Sequence, residues 1–187
     1  MFREVGAIKK GHFVLASGRH AKTRIEKVLL YPYTKKVDQL CWEIAEYFSR
    51  DYPCIVIAPA TGGIILSHCV ADHMSRMASR TVLSLYAEKT KGENGFTINP
   101  GYREFIKGKD VLVLEDILTT GGSVKKVIRQ VRRWGGKVIG VGALWNRGGI
   151  TAKDLGDVPK LFSLVNVTLE TFTRGKCQKC KANRSKV

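Results

Sequence analysis

The chain has 187 residues, 44% of them hydrophobic and 26% charged, which suits one globular domain with a full core and, at most, a small appendage. No apolar run approaches the roughly 20 residues that span a bilayer, and the early Glu4 with no apolar stretch behind it is unlike a signal peptide, so the expected setting is cytoplasmic. The formal charge of +16 comes from 32 basic and 16 acidic residues, scattered except at the end of the chain, which favours a polyanionic small substrate over a nucleic-acid partner.

Taken in order, residues 1–10 read as a short amphipathic helix. Residues 11–18 read as a strand entering a tight turn, and residues 19–30 as its antiparallel partner. Together they predict a small hood made by residues 1–35, part of the same domain as a core over 36–172. Val37, Leu40, Cys41, Ile44, Ala45, Tyr47 and Phe48 recur at helical spacing after Thr34, a fitting N-cap. Residues 54–58 form a buried strand, the loop Pro59-Ala60-Thr61-Gly62-Gly63 follows, and a helix covers 64–77. The next strand is 80–87, and the polar, glycine-bearing stretch 88–95 reads as a mobile loop. Residues 96–98 and 102–106 read as two short strands around an Asn99-Pro100-Gly101 turn.

The chain is organised around residues 111–123, VLVLEDILTTGGS. Four apolar residues without alternation suit a parallel strand buried on both faces. Glu115 and Asp116 stand at its carboxyl end, where open α/β sheets place their ligands. Thr119, Thr120, Gly121, Gly122 and Ser123 then lead into a helix over 124–134. Small residues before a helix amino terminus make a phosphate cradle. An acidic pair beside such a cradle suits a ligand with a diol and a phosphate, such as a ribose 5-phosphate. Taken alone, TTGGS reads equally well as an ordinary turn. Residues 54–63 repeat the strand, glycine loop and helix arrangement and offer a second anion site at Ala60, Thr61 and Gly62. Strand 137–145 ends in Asn146-Arg147-Gly148-Gly149, and a further strand follows at 160–165. Strands alternating with helices predict an α/β fold with a central parallel sheet flanked by helices.

The block VLVLEDILTTGGS resembles the signature of the type I phosphoribosyltransferases, which bind phosphoribosyl pyrophosphate (PRPP). With GHFVLASGRH, APATGGIIL and WNRGG, the chain resembles the orotate phosphoribosyltransferases over nearly its whole length. That resemblance implies transfer of the 5-phosphoribosyl group from PRPP to orotate with Mg2+, in a homodimer. It implies that Thr119 to Ser123 hold the 5-phosphate and that Ala60, Thr61 and Gly62 hold the pyrophosphate. Glu115 and Asp116 hold the ribose hydroxyls, and magnesium is carried by substrate, with Asp116 the one protein side chain offered to it. The loop after residue 87 becomes a lid whose Lys89 and Lys91 meet the pyrophosphate. It departs from the family pattern in lacking a histidine and in having Glu88 where an arginine is common. Lys27 matches a hood lysine that approaches the base, and Arg147 an arginine that pairs with the orotate carboxylate. The competing readings are a solvated lysine at 27 and a structural arginine at 147.

Five cysteines, three of them within apolar stretches, read as reduced thiols. Residues 173–187 form a basic tail bearing Cys177 and Cys180. A lone Cys-x-x-Cys with no second pair or His pair near it in sequence is a weak zinc signal, and free thiols or a redox pair fit it better. Two other functions compete with orotate transfer: transfer to another nucleobase, and a non-catalytic PRPP-binding regulator associated with nucleic acid.

Overall fold

A computed structural model describes residues 1–14, 18–90, 95–178 and 180. In chain order its elements are β1 (Ile8–Val14), β2 (His20–Ile25), α1 (Thr34–Phe48), β3 (Ile55–Pro59), α2 (Gly62–Ala78), β4 (Leu83–Lys89), β5 (Phe96–Ile98), α3 (Arg103–Ile106), β6 (Asp110–Leu118), α4 (Gly122–Arg133), β7 (Lys137–Asn146), β8 (Leu161–Asn166) and β9 (Thr171–Phe172). Contacts divide the chain into two units, Val37–Val167 and Met1–Lys36 with the described residues from Thr168 on. The described part of the expected tail therefore belongs with the amino-terminal hairpin. No helix among the described residues is long and apolar enough to cross a membrane.

The larger unit holds a six-stranded sheet in the order β5-β4-β3-β6-β7-β8. Strands β4, β3, β6, β7 and β8 are parallel, and β5 pairs antiparallel with β4 at the edge. On one face Ile55, Ile57, Val111 and Val113 pack with Val124, Val127 and Val131 of α4. On the other, Leu114 meets Ile44 and Phe48 of α1 around Gly142. Cover on both faces is why β6 is apolar at four successive positions. Gly140 on β7 makes room for the fully buried Phe48: a Cβ there would lie 2.6 Å from its ring. Gly140→Ala is expected to destabilise the chain by about 1–3 kcal/mol, read as a lower denaturant midpoint at unchanged slope.

Two expectations fail locally. Residues 2–6 make a single turn, not a helix; the Ala7 N–H reaches the Phe2 carbonyl, and Gly6 at φ +67° ends it. One turn is too short to sustain itself, and β1 begins at Ile8, opposite Ile25. Residues 102–106 wind as helix, not strand. Asn99 Oδ1 accepts the Gly101 N–H and Pro100 takes the first-turn position of a 3-10 helix, Pro100–Tyr102, that runs into α3. An Asn cap followed by proline is a helix-start signal that the turn reading overlooked. The smaller unit is a three-stranded sheet, β1-β2-β9, whose β1–β2 hairpin matches the sequence reading.

Candidate active site

The chain runs from β3 outward to β4 and then returns to β6 on the other side of β3. Ligands of open parallel sheets bind at such a switch point, outside the strands' carboxyl ends. Parallel strands bring their following loops to one edge. In the order β4, β3, β6, β7 that edge carries Lys89, then Ala60, Thr61 and Gly62, then Glu115, Asp116 and residues 119–123, then Arg147. At roughly 4.8 Å per strand the row spans about 14 Å, the scale of a phosphorylated sugar with a group at each end. Lys91 lies outside the described residues. Lys27 belongs to the other unit, where it opens a 3-10 turn, Lys27–Leu29, beyond the end of β2.

Within the β6–α4 loop, Thr119 and Thr120 are exposed and Gly121 is buried. Gly121 takes φ +69°, and a Cβ on it would lie 2.6 Å from Leu155 Cδ2, so the position excludes other residues. Thr120 Oγ1 accepts the Gly122 N–H at 3.4 Å. No acidic residue stands in the first turn of α4, and none in that of α2. Both helix ends keep their positive potential directed at the loops, as anion binding requires. The β3–α2 loop is pinned by the Ala60 N–H donating to the Ala87 carbonyl at 2.8 Å, and its Ala60–Thr61 peptide is cis. Gly63 packs against Ala58, where a Cβ would come within 2.6 Å of the Ala58 Cβ.

Glu115 and Asp116 lie within β6, which continues to Leu118 rather than ending at the carboxylates. Glu115 is half-buried, and its Oε1 accepts the Asp116 N–H at 3.2 Å. Asp116 is 2% exposed, and its Oδ1 accepts the Ile117 N–H at 2.7 Å. These are hard oxygen donors and match magnesium in kind.

Arg147 follows β7 on a loop that leans on the β6–α4 loop. The N–H groups of Arg147 and Gly148 both donate to the Leu118 carbonyl, at 3.0 and 3.1 Å. A Cβ on Gly148 would sit 1.8 Å from the Thr119 carbonyl oxygen. Buried Asn146 closes this loop: its Nδ2 donates to the Ile150 carbonyl at 2.7 Å, and its Oδ1 accepts the Ile150 N–H at 2.9 Å. The sequence reading missed Asn146, although an Asn opening a glycine turn is a usable signal. Arg147 is half-buried, and burial lowers its pKa from the ordinary guanidinium value. A guanidinium remains protonated in water regardless, so partial burial makes an anionic partner more valuable. The row therefore carries two glycine loops that open helices, a carboxylate pair between them and a planar cation at one end.

Comparison with known proteins decides the family. A model of the phosphoribosyl transferase domain matches residues 31–175. The orotate phosphoribosyltransferase of Caldanaerobacter subterraneus subsp. tengcongensis is 39% identical over 181 residues, covering 97% of this chain and 89% of that protein. The chain belongs to the orotate phosphoribosyltransferase family. The crystal structure of the Aeropyrum pernix member aligns at a TM-score of 0.69 with 27% identity, over 88% of this chain and 90% of that one. An adenine phosphoribosyltransferase from Thermoanaerobacter pseudethanolicus shares the fold at a TM-score of 0.63 and 16% identity, covering 77% of this chain and 88% of its own. The fold thus serves more than one base, and specificity within the family has to be argued from side chains.

A cavity of about 480 Å³ lies away from this edge, at the amino ends of β3 and β4, lined by Trp42, Tyr52, Met74 and Met77 among others. Cys177 and Cys180 belong to the smaller unit, where His12 and His20 meet them. The His pair that is missing from the neighbouring sequence is supplied by the hairpin, some 160 residues earlier in the chain.

Proposed function

We propose that the chain transfers the 5-phosphoribosyl group of PRPP to orotate, giving orotidine 5′-phosphate and pyrophosphate in pyrimidine nucleotide synthesis. The bond from the ribosyl carbon to pyrophosphate breaks, and one to the orotate ring nitrogen forms. The observation that carries the reading is Arg147, half-buried and held one strand from the phosphate loop by the Gly148 contact with Thr119. A planar fork suits a carboxylate, which orotate has and the other common bases lack.

In this reading the N–H groups and hydroxyls of Thr119 to Ser123 hold the 5-phosphate, and Ala60, Thr61 and Gly62 face the pyrophosphate. Glu115 and Asp116 orient the ribose hydroxyls and favour the positive charge that grows at the ribosyl carbon. Asp116 is the one protein side chain that would be offered to magnesium, which when bound would supply neutralising charge at the pyrophosphate. Lys89 and Lys91 meet the departing pyrophosphate, and Lys27 meets the base. No protein nucleophile enters, so catalysis rests on orientation and fixed electrostatics. A homodimer in the cytoplasm is the proposed working form.

Arg147→Ala is the direct test. Loss of charge-assisted hydrogen bonds worth about 1.5–3 kcal/mol predicts a drop of roughly 10- to 100-fold in kcat/KM for orotate. The KM for PRPP is expected to stay near its original value. Arg147→Lys restores charge without the fork and is expected to recover only part of the loss. An unchanged orotate kcat/KM in Arg147→Ala contradicts the assignment.

A further inference from the structure

We propose that His12, His20, Cys177 and Cys180 form a structural zinc site that ties the carboxyl-terminal segment to the amino-terminal hairpin. Strand register explains how the histidines meet. Val14 lies opposite His20 in the antiparallel β1–β2 pair. His12, two residues before Val14, shares its face and is the diagonal neighbour of His20. The register slips between Lys10 and Phe13, next to His12. Irregularities of this kind re-aim a side chain. His12 Nε2 and His20 Nδ1 are 2.8 Å apart.

The cysteines arrive through β9, which pairs with β2 at His20 and Ala21. The 3-10 turn Arg174–Lys176 then turns the chain back over the hairpin. Cys177 Sγ lies 3.4 Å from His12 Nε2, and Cys180 Sγ lies 3.4 Å from His12 Nε2 and 3.3 Å from His20 Nδ1. All four donor atoms fall within 4.8 Å of one another. Zinc bonds of about 2.3 Å to sulfur and 2.0–2.1 Å to nitrogen give tetrahedral N···S edges near ~3.5 Å and an N···N edge near ~3.3 Å. The observed separations lie within about half an ångström of that tetrahedron. Two imidazoles and two thiolates in a Cys-x-x-Cys spacing are a donor set that zinc prefers, and four protein ligands close the coordination shell. A closed shell holds structure and leaves no position for a substrate.

The setting supplies a reason for such a clamp. The smaller unit is built from the two chain ends, on strands of seven, six and two residues. Units of this size build small cores and are commonly stapled by a metal or by disulfides. His20 and Cys177 are each 5% exposed, so a bound metal would be shielded from water on one side. The other donor group among the described residues, Asp38, Cys69 and His73, offers three ligands, and its Asp38 and His73 already pair at 2.9 Å.

The test uses the full-length chain, free of any metal-binding tag and purified without chelator. Elemental analysis is expected to give one zinc per chain. Cobalt substitution is expected to give the intense visible bands of tetrahedral Co2+ and a thiolate charge-transfer band in the near ultraviolet. Cys177→Ser with Cys180→Ser is expected to leave less than a tenth of the zinc, whereas Cys69→Ser keeps it. If the double variant does not fold, His12→Ala, at an exposed position, is expected to weaken zinc at least tenfold in competition with a chelating dye. Added zinc is expected to raise the Tm of metal-stripped chain and not that of His12→Ala. Failure of the chain to bind stoichiometric zinc, retention of zinc by the folded Cys177→Ser/Cys180→Ser variant, or isolation of these cysteines as a disulfide that excludes metal each overturns the proposal. None of these outcomes bears on orotate turnover.

Discussion

Replacing Asp116 with asparagine is expected to lower kcat about 10²- to 10³-fold while leaving the fold intact. The substitution keeps volume and shape and removes one charge at a side chain that is 2% exposed. Its acceptor role toward the Ile117 N–H survives, because an amide oxygen also accepts. What is lost is fixed negative charge in a dry site, where it acts most strongly on a carbon gaining positive charge. Glu115→Gln is expected to fall in the same direction by a smaller factor, since its carboxylate is more solvated. Because Glu115 Oε1 accepts the backbone N–H of Asp116, the double variant is expected to lose less than the product of the single losses. Steady-state kinetics at saturating orotate, with circular dichroism for the fold, check this. A kcat within threefold of the parent in Asp116→Asn contradicts the role.

Gly148→Ala is expected to damage both ends of the site at once. The added Cβ would meet the Thr119 carbonyl oxygen at 1.8 Å and its carbon at 2.7 Å. No side-chain rotation relieves a clash with backbone, so one loop must shift by an ångström or more. That shift breaks the bonds from the Arg147 and Gly148 N–H groups to the Leu118 carbonyl and separates the arginine from the β6–α4 loop. Misplacement on this scale costs on the order of 10²-fold in kcat/KM. Both PRPP and orotate are expected to bind more weakly, unlike the orotate-selective loss at Arg147→Ala. Gly175→Ala, where a Cβ meets nothing within 4 Å, is the matched control and is expected to change stability by less than about 0.5 kcal/mol.

Much of this was legible in the sequence because it is local. The apolar run into Glu115-Asp116 and the glycine loop form one contiguous stretch whose strand, loop and helix each follow from neighbouring residues. The order β4, β3, β6, β7 was not legible, since strand order rests on contacts between distant segments, yet it is what sets Lys89, Thr61, Thr119 and Arg147 in one row. The turn at residues 2–6 misled because its apolar spacing imitates a helix too short to persist. Residues 102–106 read as the second of two short strands around an Asn99-Pro100-Gly101 turn, but the Asn99 cap and Pro100 start a helix there. Cys177 and Cys180 read as a lone pair because their histidines are reached only through hairpin register and the β2–β9 pairing. Lys91 falls outside the described residues, and its place in the lid rests on the family resemblance alone.

The most direct measurement is a spectrophotometric assay of the purified chain with PRPP and magnesium, offering orotate, uracil, hypoxanthine and adenine in turn. Orotate alone is expected to be consumed, with pyrophosphate released in equal amount. Turnover of another base in place of orotate, or tight PRPP binding with turnover of none, contradicts the assignment of Arg147 as the reader of the orotate carboxylate in an active transferase.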